Sequence, residues 1–327
     1  MMKIAILGAG GIARAMCATI RGMKEAGRPV ELYAVASRDI DKAVRFAREQ
    51  GVRRAYGSCE DMLADPAVEL VYIATPHSHH AEQMKMCIHA GKAVLCEKSF
   101  TANAAQAEEV LALAREKGVY VAEAIWTRYM PSRRLIDDLI AAGEIGEPLL
   151  LTANLCYMIK DVERVYRPEL AGGALLDITI YPLNFAIMTF GDEIERIESS
   201  VQMMETGVDR QENITFFYKD GRMAALTAST DSISDRRGMI FGEKGFVEVE
   251  NINNPQSITI YNDAYQVMEK IPCPEQVSGY EYEVISCLDA IEEGRLECPE
   301  MPHADTIAMM KLMDGIRAEW GMKYPCE

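Results

Sequence analysis

Basic residues are in short supply: 34 lysines and arginines face 50 aspartates and glutamates, leaving a net charge of −16. Such a surface repels polyphosphates and anionic lipid, so neither a nucleic-acid nor a membrane partner is expected. An anionic cofactor would also be repelled at long range, and any phosphate site has to bring its own local donors. Paired cysteine motifs are missing as well. Nine cysteines (Cys17, Cys59, Cys87, Cys96, Cys156, Cys273, Cys287, Cys298 and Cys326) are scattered with no Cys-x-x-Cys and no repeated spacing. An odd, dispersed set reads as reduced core thiols in a cytosol. No charged leader with an apolar stretch precedes the first strand, and no apolar run stands out as a membrane span; a cytoplasmic protein is the expectation. Repeats, low-complexity tracts and disordered linkers are absent too. What remains is ordinary: 49% apolar and 26% charged residues in 327, enough chain for two domains with a sizeable core.

The chain opens on an apolar run, Lys3-Ile4-Ala5-Ile6-Leu7, which breaks into Gly8-Ala9-Gly10-Gly11-Ile12-Ala13 and then a helix-like stretch from Arg14 to Glu25. Strand, Gly-x-Gly-x-x-Ala, helix is the context in which a dinucleotide fingerprint works. Gly8 permits the tight turn, Gly10 lets backbone N–H groups approach a pyrophosphate, and Ala13 lets the helix pack close to the strand. Gly11 and Ile12 complete the turn at a helix N-terminus that favours negative charge.

Strands then alternate with helices: strands at 31–36, 70–75, 93–96 and 119–124, helices at 39–50, 79–89 and 103–117, with Gly91 and Gly118 at helix ends. Alternation of this kind predicts a parallel sheet with right-handed crossovers. Past a helix at 131–142 the rhythm changes. A strand at 148–156 and a long helix at 174–190 precede three hairpin-like pairs, at 214–228, 241–247 and 258–271. Asp220-Gly221 in the first pair signals a type I′ turn. Hairpins without crossover helices predict a largely antiparallel sheet. Two late helices, 280–293 and 303–320, complete an α+β second domain. The fold class is thus α/β followed by α+β, with the boundary near Ala124–Thr127: a dinucleotide-binding domain over 1–124 and a second domain over 125–327.

Three groups of residues carry candidate chemistry. Ser37 and Arg38 end the second strand, where NAD-binding sheets usually place a carboxylate; a hydroxyl beside a guanidinium suits a 2′-phosphate. Arg38 also reads as a solvated loop residue, with Asp39 as a helix cap. NADP is the expected cofactor, with NAD the alternative. Thr75-Pro76-His77-Ser78-His79-His80 follows another strand at its carboxyl end, where open α/β sheets bind ligands. Its three histidines have no matching cysteine or acid spacing, so no metal is expected. Cys96-Glu97-Lys98 leaves a third strand at the same edge. Far downstream, Asp177 and Tyr181 stand four apart, on one helical face. Lys98, Asp177 and Tyr181 together make a plausible proton-transfer group. A tyrosine with an ordinary pKa of about 10 needs a neighbouring ammonium to act as a base.

The glycine turn, Thr75-Pro76 with His80, Cys96-Glu97-Lys98 and Gly173-Ala174-Leu175-Leu176-Asp177 resemble the glucose–fructose oxidoreductase/inositol dehydrogenase (Gfo/Idh/MocA) family. The run Ala122–Tyr129 with Tyr181 resembles its dimeric dihydrodiol dehydrogenase and D-xylose dehydrogenase branch. The resemblance implies a Rossmann domain and a C-terminal α+β domain with an open sheet; a face of that sheet without helical cover predicts a homodimer or homotetramer. It also implies hydride transfer between nicotinamide and a hydroxyl of a sugar or cyclic diol, in a cleft between domains. By that resemblance Lys98 and Tyr181 handle the hydroxyl proton and Asp177 orients substrate or lysine. Trp126 and Arg128 line the substrate, while Thr75, Pro76, His77, His80 and Glu97 join the glycine turn around the cofactor. Two departures stand out. The family motif Glu-Lys-Pro reads Glu97-Lys98-Ser99 here, which frees φ and restores a backbone N–H, and His77 replaces an asparagine. Ser99 leaves room for a second reading, a non-catalytic dinucleotide-binding sensor.

Overall fold

Apolar β-branched and aliphatic residues put the early strands at the centre of a buried sheet. The computed structural model describes the whole chain, Met1–Glu327. Its first part runs β1 (Met2–Leu7), α1 (Gly11–Glu25), β2 (Val30–Ala36), α2 (Ile40–Gln50), β3 (Arg54–Tyr56), α3 (Cys59–Leu63), β4 (Leu70–Ile73), α4 (His77–His89), β5 (Ala93–Glu97), α5 (Ala104–Lys117) and β6 (Val121–Ala124). Every pairing is parallel, and the strand order is β3-β2-β1-β4-β5-β6. The order reverses between β1 and β4, the switch point of a doubly wound sheet. Caps fix the helices in place: Asp39 accepts from Lys42 N at 3.1 Å and Asn103 from Gln106 N at 2.9 Å. Gly118 ends α5 in the left-handed region, with φ 66°.

The chain continues through α6 (Pro131–Ala141), β7 (Pro148–Cys156), α7 (Glu163–Tyr166), a π turn at Leu175–Thr179 and α8 (Ile180–Phe190). Next come β8 (Ile194–Met203), β9 (Asp209–Tyr218), β10 (Met223–Ser229), β11 (Gly238–Gly242), β12 (Gly245–Val249), β13 (Ser257–Asn262) and β14 (Val267–Pro272), then α9 (Glu281–Glu292) and α10 (His303–Glu319). The eight strands from β7 to β14 form one sheet, ordered β14-β13-β12-β11-β7-β10-β9-β8. All neighbours are antiparallel except β7 and β10. Along β9 the side chains alternate: Glu212, Ile214, Phe216 and Tyr218 are buried, while Gln211 and Asn213 are exposed. The buried face packs on α8 and the π turn; the other face carries no helix from its own unit.

Contacts divide the chain into two units. The first is Met1–Tyr129 with Gln276–Asp314 and Cys326–Glu327; the second is Met130–Glu275 with Gly315–Pro325. By contact, α9 and the first part of α10 group with the parallel sheet, whereas the sequence reading placed them with the second domain. Tyr120 Oη donates to Cys287 Sγ at 3.2 Å, and His303 Nε2 lies 2.8 Å from Val121 O. The expectation about apolar runs also needs amending. Pro168–Phe190 is 23 residues long with mean hydropathy 1.4, enough to cross a membrane by length and composition, but 89% of that window is buried. It is the core helix of the second unit. Finally, the Asp220-Gly221 hairpin is not type I′. Tyr218 N bonds to Arg222 O and Gly221 N to Tyr218 O, and only Gly221 has positive φ (91°). That is a three-residue loop with glycine at the left-handed position.

Candidate functional site

In the first unit the glycine turn is shaped by what surrounds it. Gly8 sits at φ +121°, and an added Cβ would fall 2.6 Å from Ala74 O. At Gly10 and Gly11 an added Cβ would meet nothing within 4 Å. Gly10 caps α1 without a side-chain hydrogen bond, and the first turn holds no acidic residue. Ile12 is half-buried and Ala13 fully buried against the sheet. A helix N-terminus with uncapped N–H groups and open space above two glycines fits the pyrophosphate of a dinucleotide. Ser37 and Arg38 lie at the end of β2, half-buried and exposed respectively, and Asp39 takes the capping role. Burial, and secondarily the Arg38 charge, holds His79 below its ordinary pKa.

The loops after β4 and β5 are tied together. His80 is completely buried, its Nε2 2.8 Å from Thr75 O and its Nδ1 2.9 Å from Ser99 O. Burial pulls its pKa down to about 4 against those carbonyl contacts, so the ring is neutral at pH 7. His80 is therefore a brace beneath the loop, where the sequence suggested a group facing the cofactor. His77 is also buried, its ring edge-on to His80 at 5.7 Å. Thr75 Oγ1 donates to Gln83 Oε1 at 2.6 Å, and Pro76 precedes α4 in extended conformation. Glu97 turns inward, accepting from the fully buried Tyr72 Oη. Lys98 is half-buried, and its peptide bond to Ser99 is cis. Phe100 N donates to Glu123 Oε1 at 3.1 Å, and burial raises Glu123 to about 7. Glu283 on α9 is raised well above the usual carboxylate range by burial and by the Glu97 charge. Trp126 stacks on Tyr280 at 4.0 Å, and the Arg128 guanidinium reaches Asp305 at 2.6 Å and Glu300 O at 3.5 Å. No cluster of three or more His, Cys, Asp or Glu side chains is arranged to hold a metal ion.

In the second unit Asp177 and Tyr181 flank the junction of the π turn and α8, both buried. π turns recur at functional sites because the wider turn redirects side chains. Beneath it, Asp209 Oδ2 accepts from Leu175 N at 2.5 Å, and Thr179 Oγ1 donates to Glu212 Oε1. Burial lifts Asp209 to about 6 and Glu212 well above its ordinary value. Arg164 Nη1 on α7 lies 2.8 Å from Asp177 Oδ2. Sequence reading missed Tyr72, Glu123, Arg164, Asp209 and Glu212. The available signal was an acid inside an apolar strand, as in Val121-Ala122-Glu123-Ala124, since a buried carboxylate needs a partner or a proton.

A doubly wound sheet with an open glycine turn at a bare helix N-terminus, followed by a mixed sheet packed on a π turn with Asp177 and a helix with Tyr181, fits a nicotinamide-dinucleotide oxidoreductase. Residues 2–124 match the oxidoreductase family with an NAD-binding Rossmann fold, and residues 134–248 match the GFO/IDH/MocA C-terminal domain; the chain belongs to this family. It is 31% identical over 306 residues to the mouse (Mus musculus) trans-1,2-dihydrobenzene-1,2-diol dehydrogenase, covering 90% of each chain. The Xenopus laevis protein of the same name is 32% identical over 301 residues, covering 90% of this chain and 91% of the other. Among solved structures, KijD10, a 3-ketoreductase from Actinomadura kijaniata in complex with NADP and TDP-benzene, superposes with a TM-score of 0.87. It is 26% identical and covers 97% of both chains. A levoglucosan dehydrogenase complexed with NADH and levoglucosan shares the fold, with a TM-score of 0.84 at 17% identity. The protein is a dehydrogenase acting on CH–OH groups.

Proposed function

We propose that the chain is an NADP-preferring dehydrogenase of a sugar or cyclic diol, working in the cytoplasm. The observation that carries the cofactor choice is the basic end of β2. Ser37 and Arg38 stand there, the next carboxylate, Asp39, is engaged in capping α2, and the α1 N-terminus is free of acids. The residues around the cradle would hold the dinucleotide: Gly8 to Ala13 at the pyrophosphate, Ser37 and Arg38 at the 2′-phosphate, and Thr75 to His77 near the ribose, with Glu97, whose side chain turns inward to Tyr72, contributing its backbone. When bound, the nicotinamide supplies the hydride acceptor. In this reading Tyr181 takes the hydroxyl proton and the Lys98 ammonium lowers its pKa while binding the same oxygen. Asp177 orients the substrate, and Trp126 and Arg128 shape its binding surface. The relatives support the substrate class: a trans-1,2-dihydrobenzene-1,2-diol dehydrogenase and a 3-ketoreductase both handle a carbon bearing a hydroxyl or its ketone.

Self-association belongs to the same reading. Strand registers align Arg196, Phe217, Met223, Leu150, Phe241 and Phe246 in one row across the second sheet, on the face without a helix. A second copy would cover it, as a dimer or tetramer, and light scattering at 36.4 kDa alone would refute that. The test of activity is NADP⁺ reduction against aldoses, inositols and trans-cyclic diols, with Arg38→Ala alongside. That variant should weaken NADP(H) about tenfold or more, the contribution of a charged hydrogen bond, and NAD(H) far less. Equal losses would return the cofactor choice to NAD. Tight NADP binding without turnover on any substrate of the panel would overturn the proposed substrate class.

A further inference from the structure

Buried Asp177 has its backbone fixed from below and its carboxylate steered from one side. From below, Asp209 accepts from Leu175 N, and Glu212 accepts from Thr179 Oγ1. These two contacts bracket residue 177 on the π turn. From the side, Arg164 reaches Asp177 Oδ2 through a single nitrogen, Nη1, at 2.8 Å. The two ends of this pair differ: the Arg164 side chain is 46% exposed, the Asp177 side chain 8%. An exposed ion pair contributes little to stability. A buried carboxylate next to a half-exposed guanidinium is a different case, because the cation fixes the direction of the oxygen it binds.

The segment carrying Arg164 is also fastened to the helix start. Gly173 N donates to Val165 O at 2.7 Å and Gly172 N to Arg167 O at 3.1 Å. A Cβ on Gly172 would lie 2.4 Å from Val165 O and 2.9 Å from Arg164 O. The double glycine thus allows α7 to sit against the turn that leads into Asp177. Other basic residues of the unit face different acids, two of them beside α7 in sequence and Arg210 on β9. Arg167 pairs with Glu163 at 3.3 Å, while Lys160 and Arg210 share Asp231 at 2.7 and 3.4 Å. Arg164 alone among them reaches Asp177.

We infer that Arg164 is a positioning residue, holding the Asp177 carboxylate in the orientation that receives the substrate hydroxyl. This rests on the reading of Asp177 as a substrate-orienting group. A misdirected carboxylate leaves the substrate bound but poorly aligned, so the loss falls on turnover more than on binding. The exposed site lets substitutions fold. Lysine is the conservative replacement, because a contact through one nitrogen does not need the guanidinium fork.

The test is a double-mutant cycle of Arg164→Met and Asp177→Asn, with Arg164→Lys as the rescue. It is read with NADP⁺ and the faster of trans-1,2-dihydrobenzene-1,2-diol and D-xylose. Arg164→Met should lower kcat roughly ten- to a hundredfold, with a smaller change in KM, unchanged NADPH affinity and an unchanged Tm. Arg164→Lys should recover most of the loss, and Arg164→Met should add nothing to Asp177→Asn. Near-normal kcat in Arg164→Met beside a damaged Asp177→Asn overturns the inference and leaves the parent reading standing. An undiminished effect in the Asp177→Asn background also overturns it, by making Arg164 a direct substrate contact. Full activity in Asp177→Asn removes the parent reading and this one with it. A crystal structure of Arg164→Met gives a readout free of turnover: a rotated Asp177 carboxylate supports the inference, and an unmoved one overturns it.

Discussion

At Gly10 and Gly11 an added Cβ would meet no atom within 4 Å, whereas at Gly173 it would fall 2.0 Å from Asp209 Oδ1. Both glycine turns lead into a helix at the edge of a sheet, and in sequence they look alike. The first keeps its helix N-terminus bare, with no capping side chain and no acid in the first turn. The second has its N–H groups taken by the chain itself, through Asp209. One glycine pair leaves room for a ligand, and the other lets the protein close on its own backbone. Glycine content alone therefore does not mark an anion site; what fills the space above the turn does.

The largest effect expected from the comparison lies with the residue the second turn delivers. Tyr181→Phe should cut turnover by about 10²–10⁴, the usual range for a lost general base, with cofactor affinity unchanged by fluorescence titration. Lys98→Met should also impair turnover, and the double variant should be much less than additive. Near-normal rates in Tyr181→Phe would hand the base role to Lys98.

Next comes Gly173→Ala, which forces a side chain into φ +105° and against Asp209. It should destabilise the protein by about 2–4 kcal/mol in urea unfolding. A wild-type midpoint would mean the second turn is as open as the first.

The loop after Lys98 offers a pH test. Glu123 rises from 4.5 to about 7 on folding, chiefly through burial. Its protonated form is favoured in the native state, so its contribution is complete below pH 4.5 and is lost as pH rises through 7. Glu123→Gln keeps an acceptor for Phe100 N without the charge. It should stabilise the protein by about 3 kcal/mol at pH 8 and change little at pH 4. His80 works in the opposite sense. Its pKa falls from 6.5 to about 4, so its contribution is present above 6.5 and lost toward 4. Equal stability of the Gln variant and wild type at pH 8 would show that burial does not raise the Glu123 carboxyl.

The smallest effect in stability separates the turns most sharply. Gly10→Ala should leave unfolding within about 0.5 kcal/mol of wild type while weakening NADPH about tenfold by blocking close backbone approach. A loss of stability without a loss of affinity would reverse the assignment of the two turns.

Much of this was legible in the sequence where a local rule is strong. The strand-glycine-helix order placed β1 and α1, and β7 was bounded correctly at Pro148 and Cys156. Asp39 capped the helix expected of it, and Asn103, expected as the first residue of its helix, proved to be the cap. Strand β8 was missed because Ile194, Ile197 and Val201 fall at helical spacing on an edge strand interrupted by two register shifts. Strand β3 and helices α3 and α7 are only three to five residues long, too short for a periodic pattern. Asp220-Gly221 kept its hairpin but not its turn type, since Asp220 needs no positive φ in the longer loop. The braces under the reactive residues were least visible. His80, Glu123, Asp209 and Glu212 act through contacts distant in sequence, and no spacing rule announces such pairs.

The composition of the first unit bears on how the chain comes off the ribosome. Its parallel sheet is finished by residue 124, yet it still lacks α9 and the start of α10, including Asp314, whose carboxylate accepts from Ala104 N at 2.8 Å. Domains generally fold in order of synthesis, but here the second unit's sheet emerges in full before the first unit can close. A nascent chain halted at Tyr129 would expose Tyr120 and the β6 edge that residues 276–314 later cover. Nascent chains of graded length, probed by proteolysis, should therefore show protection of the glycine-turn unit only once residue 314 has cleared the exit tunnel.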